Sequence, residues 1–323
     1  MTDRAVSVAA LQTLDAALSV DVAREADALG YSSVWVAEAN GVEGLSLLGA
    51  ISQATTQAGL GTGVLALQLR TPPLQAMAAA TLQQLAGDRD VYFGVGISSP
   101  AVAGQWHGAG YGDRPIAQTR EFVTLLRECL SGERVTFEGD FYTVKRFKLG
   151  VRLGERRPMI VMAALNKQML RLAGELSDAV LLNYLPATAV PWCVSQIREG
   201  GSARVFAYIH CTVTDRDRYA NLARRDLLNY TVVPAYAAQF ERGGFFDEVR
   251  HFQYLWNKGN REGALNAISD EMVDAIEING DESHVQAAVQ AYADAGVEVP
   301  IVFPAPWGED RRETLSRTLK ALA

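Results

Sequence analysis

The sequence predicts an α/β chain closed into a single (β/α)8 barrel, a TIM barrel. Three observations predict it. Eight short apolar runs rich in β-branched residues recur along the chain, segments patterned at helical period separate them, and the first run lacks the Gly-x-Gly-x-x-Gly turn that a doubly wound dinucleotide-binding sheet would carry.

The runs read AVSVAAL from Ala5, SSVWVAE from Ser32, GLGTGVLAL from Gly59, VYFGVG from Val91, MIVMAAL from Met159, AVLLNYL from Ala179, VFAYIHCTV from Val205 and VPIVFPA from Val299. Continuous apolar runs suit strands buried on both faces, whereas a half-wet antiparallel strand would alternate. Between the runs, Val20 to Leu29 places Val22, Ala26 and Leu29 on one helical face and stops at Gly30. Pro72 and Pro73 sit where a first helical turn tolerates proline, ahead of the strongly helix-forming Ala76 to Leu85. Pro115 opens a helix running to Leu130, Ser177-Asp178 separates another helix from its strand, and Asp281 to Ala295 and Glu309 to Leu322 complete the series.

A plain barrel takes about 250 residues, so roughly 70 of the 323 are expected as insertions into one domain spanning the whole chain. Residues about 97–157 hold a hairpin, VTFEGDFYTV, turning at Glu138-Gly139-Asp140, and residues about 212–296 form a helical stretch dense in aromatics from Tyr230 to Trp256. That density points to a helical cap over the barrel mouth or a subunit contact. No sequence repeat beyond the β/α alternation is found.

Composition narrows the function. With 49% hydrophobic residues and a mean hydropathy of +0.01, the chain reads as a folded soluble protein. No apolar run approaches the roughly 18 to 20 residues of a membrane span. A net charge of −7 argues against nucleic acid as a partner, because that affinity rests on clustered Lys and Arg. Three cysteines, Cys129, Cys193 and Cys211, lack paired spacing and fit reduced thiols. Gln12, Thr13 and Asp15 interrupt the apolar start that a secretory signal would keep, so the expectation is a cytoplasmic enzyme acting on a small molecule.

Barrel enzymes carry their reactive groups at the C-terminal ends of the strands. Those positions hold Glu38, Asn40 and Glu43 after strand two, Gln68 and Arg70 after strand three, and Ser98, Ser99, Trp106 and His107 after strand four. Asn166 and Lys167 follow strand five, Asn183 and Tyr184 strand six, and His210 strand seven. No metal motif and no Gly-x-Ser-x-Gly elbow occurs, which leaves Ser98 and Ser99 as hydrogen-bond donors. His107 can donate a proton or order a substrate, or it can simply pack beside Trp106; Glu38 can titrate, or bond to nearby backbone. Asn166 opens a helix whose free N–H groups can hold an anion, with Lys167 adding a charge. The basic residues Lys145, Arg146, Lys148, Arg152, Arg156 and Arg157 precede strand five and so belong to the opposite barrel face, as a solvated loop.

The motifs GYSSVWVAEANG, LGTGVLALQLRTPP, QAMAAATLQQLAGDRDVYFGVGISSPAVAGQWHG, RPIAQTREFVTLLRECLSGERVTFEGDFYTV and ALNKQMLRLAGELSDAVLLN resemble the bacterial luciferase-like monooxygenase superfamily. Within it they resemble the actinobacterial branch of coenzyme F420-dependent oxidoreductases, from Gly30 to about Asn183. The resemblance implies a luciferase-like barrel, usually homodimeric, that holds a deazaflavin in its mouth and passes a hydride between the deazaflavin C5 and a small substrate. FMN is the alternative cofactor, with monooxygenase chemistry, and a silent barrel that binds neither is the third reading. The resemblance further implies a cis peptide at Gly63-Val64 backing the ring, with Gly96, Ser98 and Ser99 approaching it. Ala164, Leu165, Asn166 and Lys167 would hold the phosphate, with Asn40 and Asn183 at the ring site and His107, Glu38 and Trp106 as the catalytic candidates. Two departures stand out. Asn166-Lys167 occupies a turn where relatives usually carry Gly, which suggests left-handed backbone at Asn166, and Asn40 replaces an aromatic residue or His.

Overall fold

The computed structural model describes residues 3–8, 15–305, 307 and 310–323. Eight parallel strands close into a barrel: Ala5–Ser7, Ser33–Val36, a third in two pieces at Gly59–Thr62 and Leu65–Ala66, Val91–Gly96, Met159–Ala163, Ala179–Leu182, Arg204–Val213 and Val299–Phe303. Strand eight closes the ring, pairing Ile301 with Ala5 of strand one and Val299 with Phe206 of strand seven. All eight predicted runs are strands in their predicted order. Residues 9–11 of the first run and the predicted helix start at Glu309 lie outside the described residues.

Strand seven illustrates why continuous apolar runs are required. Val205, Ala207, Ile209 and Cys211 pack outward under the helices, while Phe206 and Tyr208 fill the barrel interior. Both faces are dry, so neither set can be polar. Inside, Trp35 stacks on Tyr92 at 5.3 Å between ring centroids, and Phe206 meets both rings edge-on. These large side chains fit because strand three contributes glycines. A Cβ on Gly61 would lie 2.3 Å from the Trp35 ring, and one on Gly63 would lie 1.8 Å from the Tyr208 hydroxyl.

The helices follow the sequence reading closely. Pro115–Leu130 and Pro72–Ala86 begin at their prolines, and Asp281 caps Glu282–Asp294 by accepting from the His284 N–H at 2.9 Å. The hairpin pairs Arg134–Glu138 with Thr143–Lys148, and Glu121 accepts the N–H groups of Asp140, Phe141 and Tyr142 at its turn. Residues 212–296 depart from the expected purely helical stretch. They contain a strand, Glu277–Gly280, parallel to the C-terminal end of strand seven. Four residues reading Glu-Ile-Asn-Gly are too short and too polar to announce a strand by pattern. The aromatic helices do form a cap: Phe240, Phe252, Met272 and Ile276 make a second core together with Tyr184 from the end of strand six. Phe246 and Tyr254 stay outside that core, 55% and 61% exposed. Among the described residues no helix is long and apolar enough to cross a membrane.

Two glycine substitutions test the interior packing. Gly94→Ala puts a Cβ 1.9 Å from the Thr62 carbonyl oxygen, backbone that cannot rotate away, and should destabilise by about 3 kcal/mol, the upper end of overpacking costs. Gly49→Ala, in helix Gly44–Ala54 with nothing within 4 Å, should stabilise by about 0.5 to 1 kcal/mol. Chemical denaturation of both variants checks the contrast.

Candidate active site

Strand three breaks where it meets strand four. Gly61 lies opposite Tyr92 and Leu65 opposite Val95, so four steps along strand three span three along strand four. The extra residue is a β-bulge. The Thr62 hydroxyl repairs the ladder, donating to the Gly94 carbonyl at 2.9 Å and accepting the Gly94 N–H at 2.6 Å. The Gly63-Val64 peptide is cis, at the position the resemblance implies. Val64 leans over strand four, its methyls 2.9 and 3.0 Å from where Cβ atoms would stand on Gly94 and Gly96, and it remains partly exposed. A Cβ on Gly96 would also come within 3.0 Å of the Ala163 Cβ. A side chain at either glycine would therefore displace the bulge.

Around this bulge the loops are tied together. Arg70 donates to both oxygens of Glu38, at 2.6 and 2.9 Å, and to Glu43 at 2.5 Å, while Glu38 also accepts the Gly44 N–H at 3.1 Å. Glu38 thus anchors the loop after strand two to the one after strand three, with both carboxylate oxygens occupied. Its geometry is that of an anchor and not of a free base. Gln68 Oε1 accepts the Ser98 N–H at 3.4 Å, and Ser99 caps the wide helical turn Pro100–Trp106 by accepting from Val102 at 3.2 Å. That turn was not expected from the sequence. It ends at His107, exposed, whose Nε2 bonds to the Ala39 carbonyl at 2.6 Å. Trp106 is 54% exposed and Asn40 is exposed as well, so both sit on the rim.

After strand five, Asn166 caps helix Lys167–Leu176, its Oδ1 accepting the Met169 N–H at 3.0 Å. Its backbone lies at φ −93° and ψ 158°, ordinary extended geometry. The left-handed turn suggested by the missing Gly is therefore absent: the cap works from extended backbone, which any residue adopts. Lys167 is exposed beside the open N–H groups of the first turn, Ala164 is buried, and the Leu165 carbonyl is held by the Gln239 amide from the cap. Arg156, from the basic loop, pairs with Asp90 at the start of strand four, which places that loop at the far end of the barrel.

The opposite wall, from strands six to eight, joins the candidates Asn183, Tyr184 and His210 to groups that sequence reasoning passed over, Asp226 and Glu277. Asn183 Oδ1 is bonded to His210 Nε2 at 2.8 Å, and the His210 ring lies between Tyr184 and Phe303, with centroids 3.7 and 4.3 Å away. Tyr184 has a left-handed φ of 45°, stacks on Tyr230 and donates to Asp226 at 2.7 Å. Burial pushes the His210 pKa down to about 3, so the ring is neutral. Its partner Glu277 was invisible because the strand carrying it was. Below them the buried Tyr208 hydroxyl faces that of Ser7 and reaches under Gly63 of the bulge.

The barrel, the bulge in strand three and the helix terminus after strand five define the class to which comparison assigns the chain. The luciferase-like monooxygenase family profile matches residues 5–298, and the protein belongs to that family. It is 29% identical over 307 residues to Rv3520c of Mycobacterium tuberculosis, provisionally assigned there as a coenzyme F420-dependent oxidoreductase, covering 86% of this chain and 88% of that one. It is 27% identical over 305 residues to 5,10-methylenetetrahydromethanopterin reductase of Archaeoglobus fulgidus, covering 88% and 89%. The F420-dependent tetrahydromethanopterin reductase structure from Methanopyrus kandleri superposes with a TM-score of 0.81 at 20% identity, over 99% of this chain and 98% of that one.

If Glu38 is an anchor, Glu38→Gln should cost stability, on the order of 2 to 3 kcal/mol, somewhat under what breaking a fully buried pair costs. Arg70→Met should cost a similar amount, and the double variant less than the sum. Additive losses in urea melts would contradict the pairing.

Proposed function

We propose that this protein is a coenzyme F420-dependent oxidoreductase transferring a hydride between the deazaflavin C5 and a small organic substrate. The observation that carries the reading is the glycine-backed bulge at the mouth, in a chain whose relatives include Rv3520c and the glucose-6-phosphate dehydrogenase of Kineococcus radiotolerans, both named as F420-dependent. The residues fit such a group. Val64 presents a partly exposed apolar surface to the mouth, and Gly96, which carries no side chain, lets it lie close against strand four. When bound, F420 supplies a two-electron hydride donor or acceptor, the chemistry the polypeptide lacks.

The chain's own residues bind and orient. Val64 offers a flat apolar face, and Ser98, its N–H held by Gln68, sits beyond the end of strand four. The helix opening at Lys167 holds a phosphate through its free N–H groups, with Ala164 to Asn166 shaping the turn. His107 and Trp106 close the rim, and Asn40 sits beside them. Glu38 keeps the loops in register. Asn183 faces the ring from strand six, and the aromatic wall of Tyr184 and Phe303 excludes water on the substrate side.

The same reading includes a homodimer. Leu74, Met77 and Leu85 form an exposed stripe on helix Pro72–Ala86, 50%, 46% and 42% accessible. Leu74→Glu combined with Met77→Glu should yield a monomer by sedimentation equilibrium, and an unchanged mass would remove this face as the contact.

Titration with F420 and with FMN, read by fluorescence quenching, tests the central proposal. The expected result is tight F420 binding and weak FMN binding. FMN selectivity would move the protein to flavin monooxygenase chemistry, and binding of neither would make it a silent barrel. Lys167→Ala should weaken F420 about fivefold while leaving the phosphate-free deazaflavin unaffected; equal losses would displace the phosphate from that helix.

A further inference from the structure

Strand seven runs past its pairing with strand six, and Glu277–Gly280 takes up that edge, which sets Glu277 opposite His210. The Glu277 side chain is 2% exposed, and its Oε1 is buried with no hydrogen-bond partner, 3.9 Å from His210 Nδ1. Because His210 is neutral, this contact is not an ion pair. The carboxyl also meets the Tyr184 hydroxyl and the Asp226 carboxyl. The titratable groups around it are His210 and Cys211 from strand seven, Tyr184 after strand six, Asp226 and Tyr230 from helix Arg216–Thr231, and Tyr292 from helix Glu282–Asp294. None of these supplies a positive charge. Burial first, and the Asp226 carboxyl second, raise the Glu277 pKa well above its ordinary 4.5 and favour the protonated, uncharged carboxyl.

Position gives that proton a use. In the ring of eight strands, seven lies across from three, and Tyr208 of strand seven reaches under Gly63 of the bulge. His210 and Glu277 stand one step nearer the mouth on the same wall. The other acid-base candidates are engaged elsewhere, Glu38 with Arg70 and His107 with the Ala39 carbonyl.

We propose that Glu277, Tyr184 and Asp226 form a proton-delivery chain into the barrel mouth, with Glu277 the acid whose proton is consumed when a substrate is reduced there. The inference rests on the redox reading above. In the reducing direction, reduced F420 would supply the hydride and its two electrons to a substrate carbon, which would leave the substrate oxygen or nitrogen basic. The Glu277 O–H bond breaks as the product O–H or N–H bond forms. The carboxylate left behind regains a proton from the Tyr184 hydroxyl as that hydroxyl turns and takes one from Asp226. Asp226 is half-buried and is resupplied from solvent. In the oxidising direction the same chain runs outward. Tyr184 and Asp226 are positioning residues, acting through Glu277.

Infrared spectroscopy of the intact protein tests the chain without a substrate. Wild type at pH 7 should show a protonated carboxyl band that is missing in Glu277→Gln. On transfer to D2O that band should shift promptly in wild type and about 10²-fold more slowly in Tyr184→Phe, the lower bound of what a positioned proton-transfer group contributes. Asp226→Asn cuts the chain at its outer end and should slow exchange in the same way, so the test survives if Tyr184→Phe misfolds.

Thermal melts give an independent reading. Above pH 4.5 the unfolded chain ionises this carboxyl and the folded chain does not, so wild type loses stability with rising pH. Glu277→Gln should melt higher than wild type at pH 8, with the gap closing toward pH 4.5. No band sensitive to Glu277→Gln, or exchange at the wild-type rate in both relay variants, overturns the proposal. F420 titration of the same samples separates the two ideas: a wild type that fails to bind F420 sinks the redox reading, while the infrared result still decides the chain.

Discussion

The architecture depends on a steric exchange inside the barrel. A closed parallel cylinder must be filled by side chains from its own strands, and here strands two and seven fill it with Trp35, Phe206 and Tyr208. Strand three yields the space with Gly61 and Gly63 facing those rings, and Gly94 and Gly96 of strand four in turn leave room for Thr62 and Val64. Removing side chains from one arc of the wall lets the backbone itself move inward, and strand three uses that freedom to bulge. The stretch of wall that admits the aromatic core therefore also presents Val64, partly exposed, at the mouth, where a flat ligand can approach.

The mouth then divides into two walls of different chemistry. On the side of strands two to five the polar groups are satisfied by their neighbours: Glu38 by Arg70, Ser98 by Gln68, Met169 by the Asn166 cap. These are the connections of a holder, fixing loops so that a bound group meets a rigid surface. On the side of strands six to eight the groups are stacked, buried and incompletely paired, with His210 pressed between rings and Glu277 lacking a partner for one oxygen. Unsatisfied buried acids cost stability, and proteins keep them where a proton has to be handled.

Much of this was legible before folding. The eight runs announced eight strands because burial on both faces leaves no room for polar residues, and prolines and Asp or Asn caps marked helix starts within a residue or so. Glu38, Ser98 and Asn166 stood out as candidates because a barrel puts strand ends in one place, and Gly63 only through the family resemblance. Their roles were less legible. The partner of Glu38 lies 32 positions away at Arg70, and the backbone of Asn166 proved extended where a substitution for Gly suggested otherwise. Glu277 escaped notice because it sits in a four-residue polar strand whose identity comes only from pairing with strand seven.

By itself the sequence determined the periodicities, and with them the barrel, its closure and the family to which it belongs, since apolar pattern and glycine placement are local properties. Tertiary structure alone decided which ionisable groups meet. Whether a carboxyl is an anchor, a base or a stored proton depends on the charges and the solvent around it, and those come from residues far apart in the chain. Glu38 beside a guanidinium and Glu277 among rings and a second carboxyl are the same residue type with opposite fates.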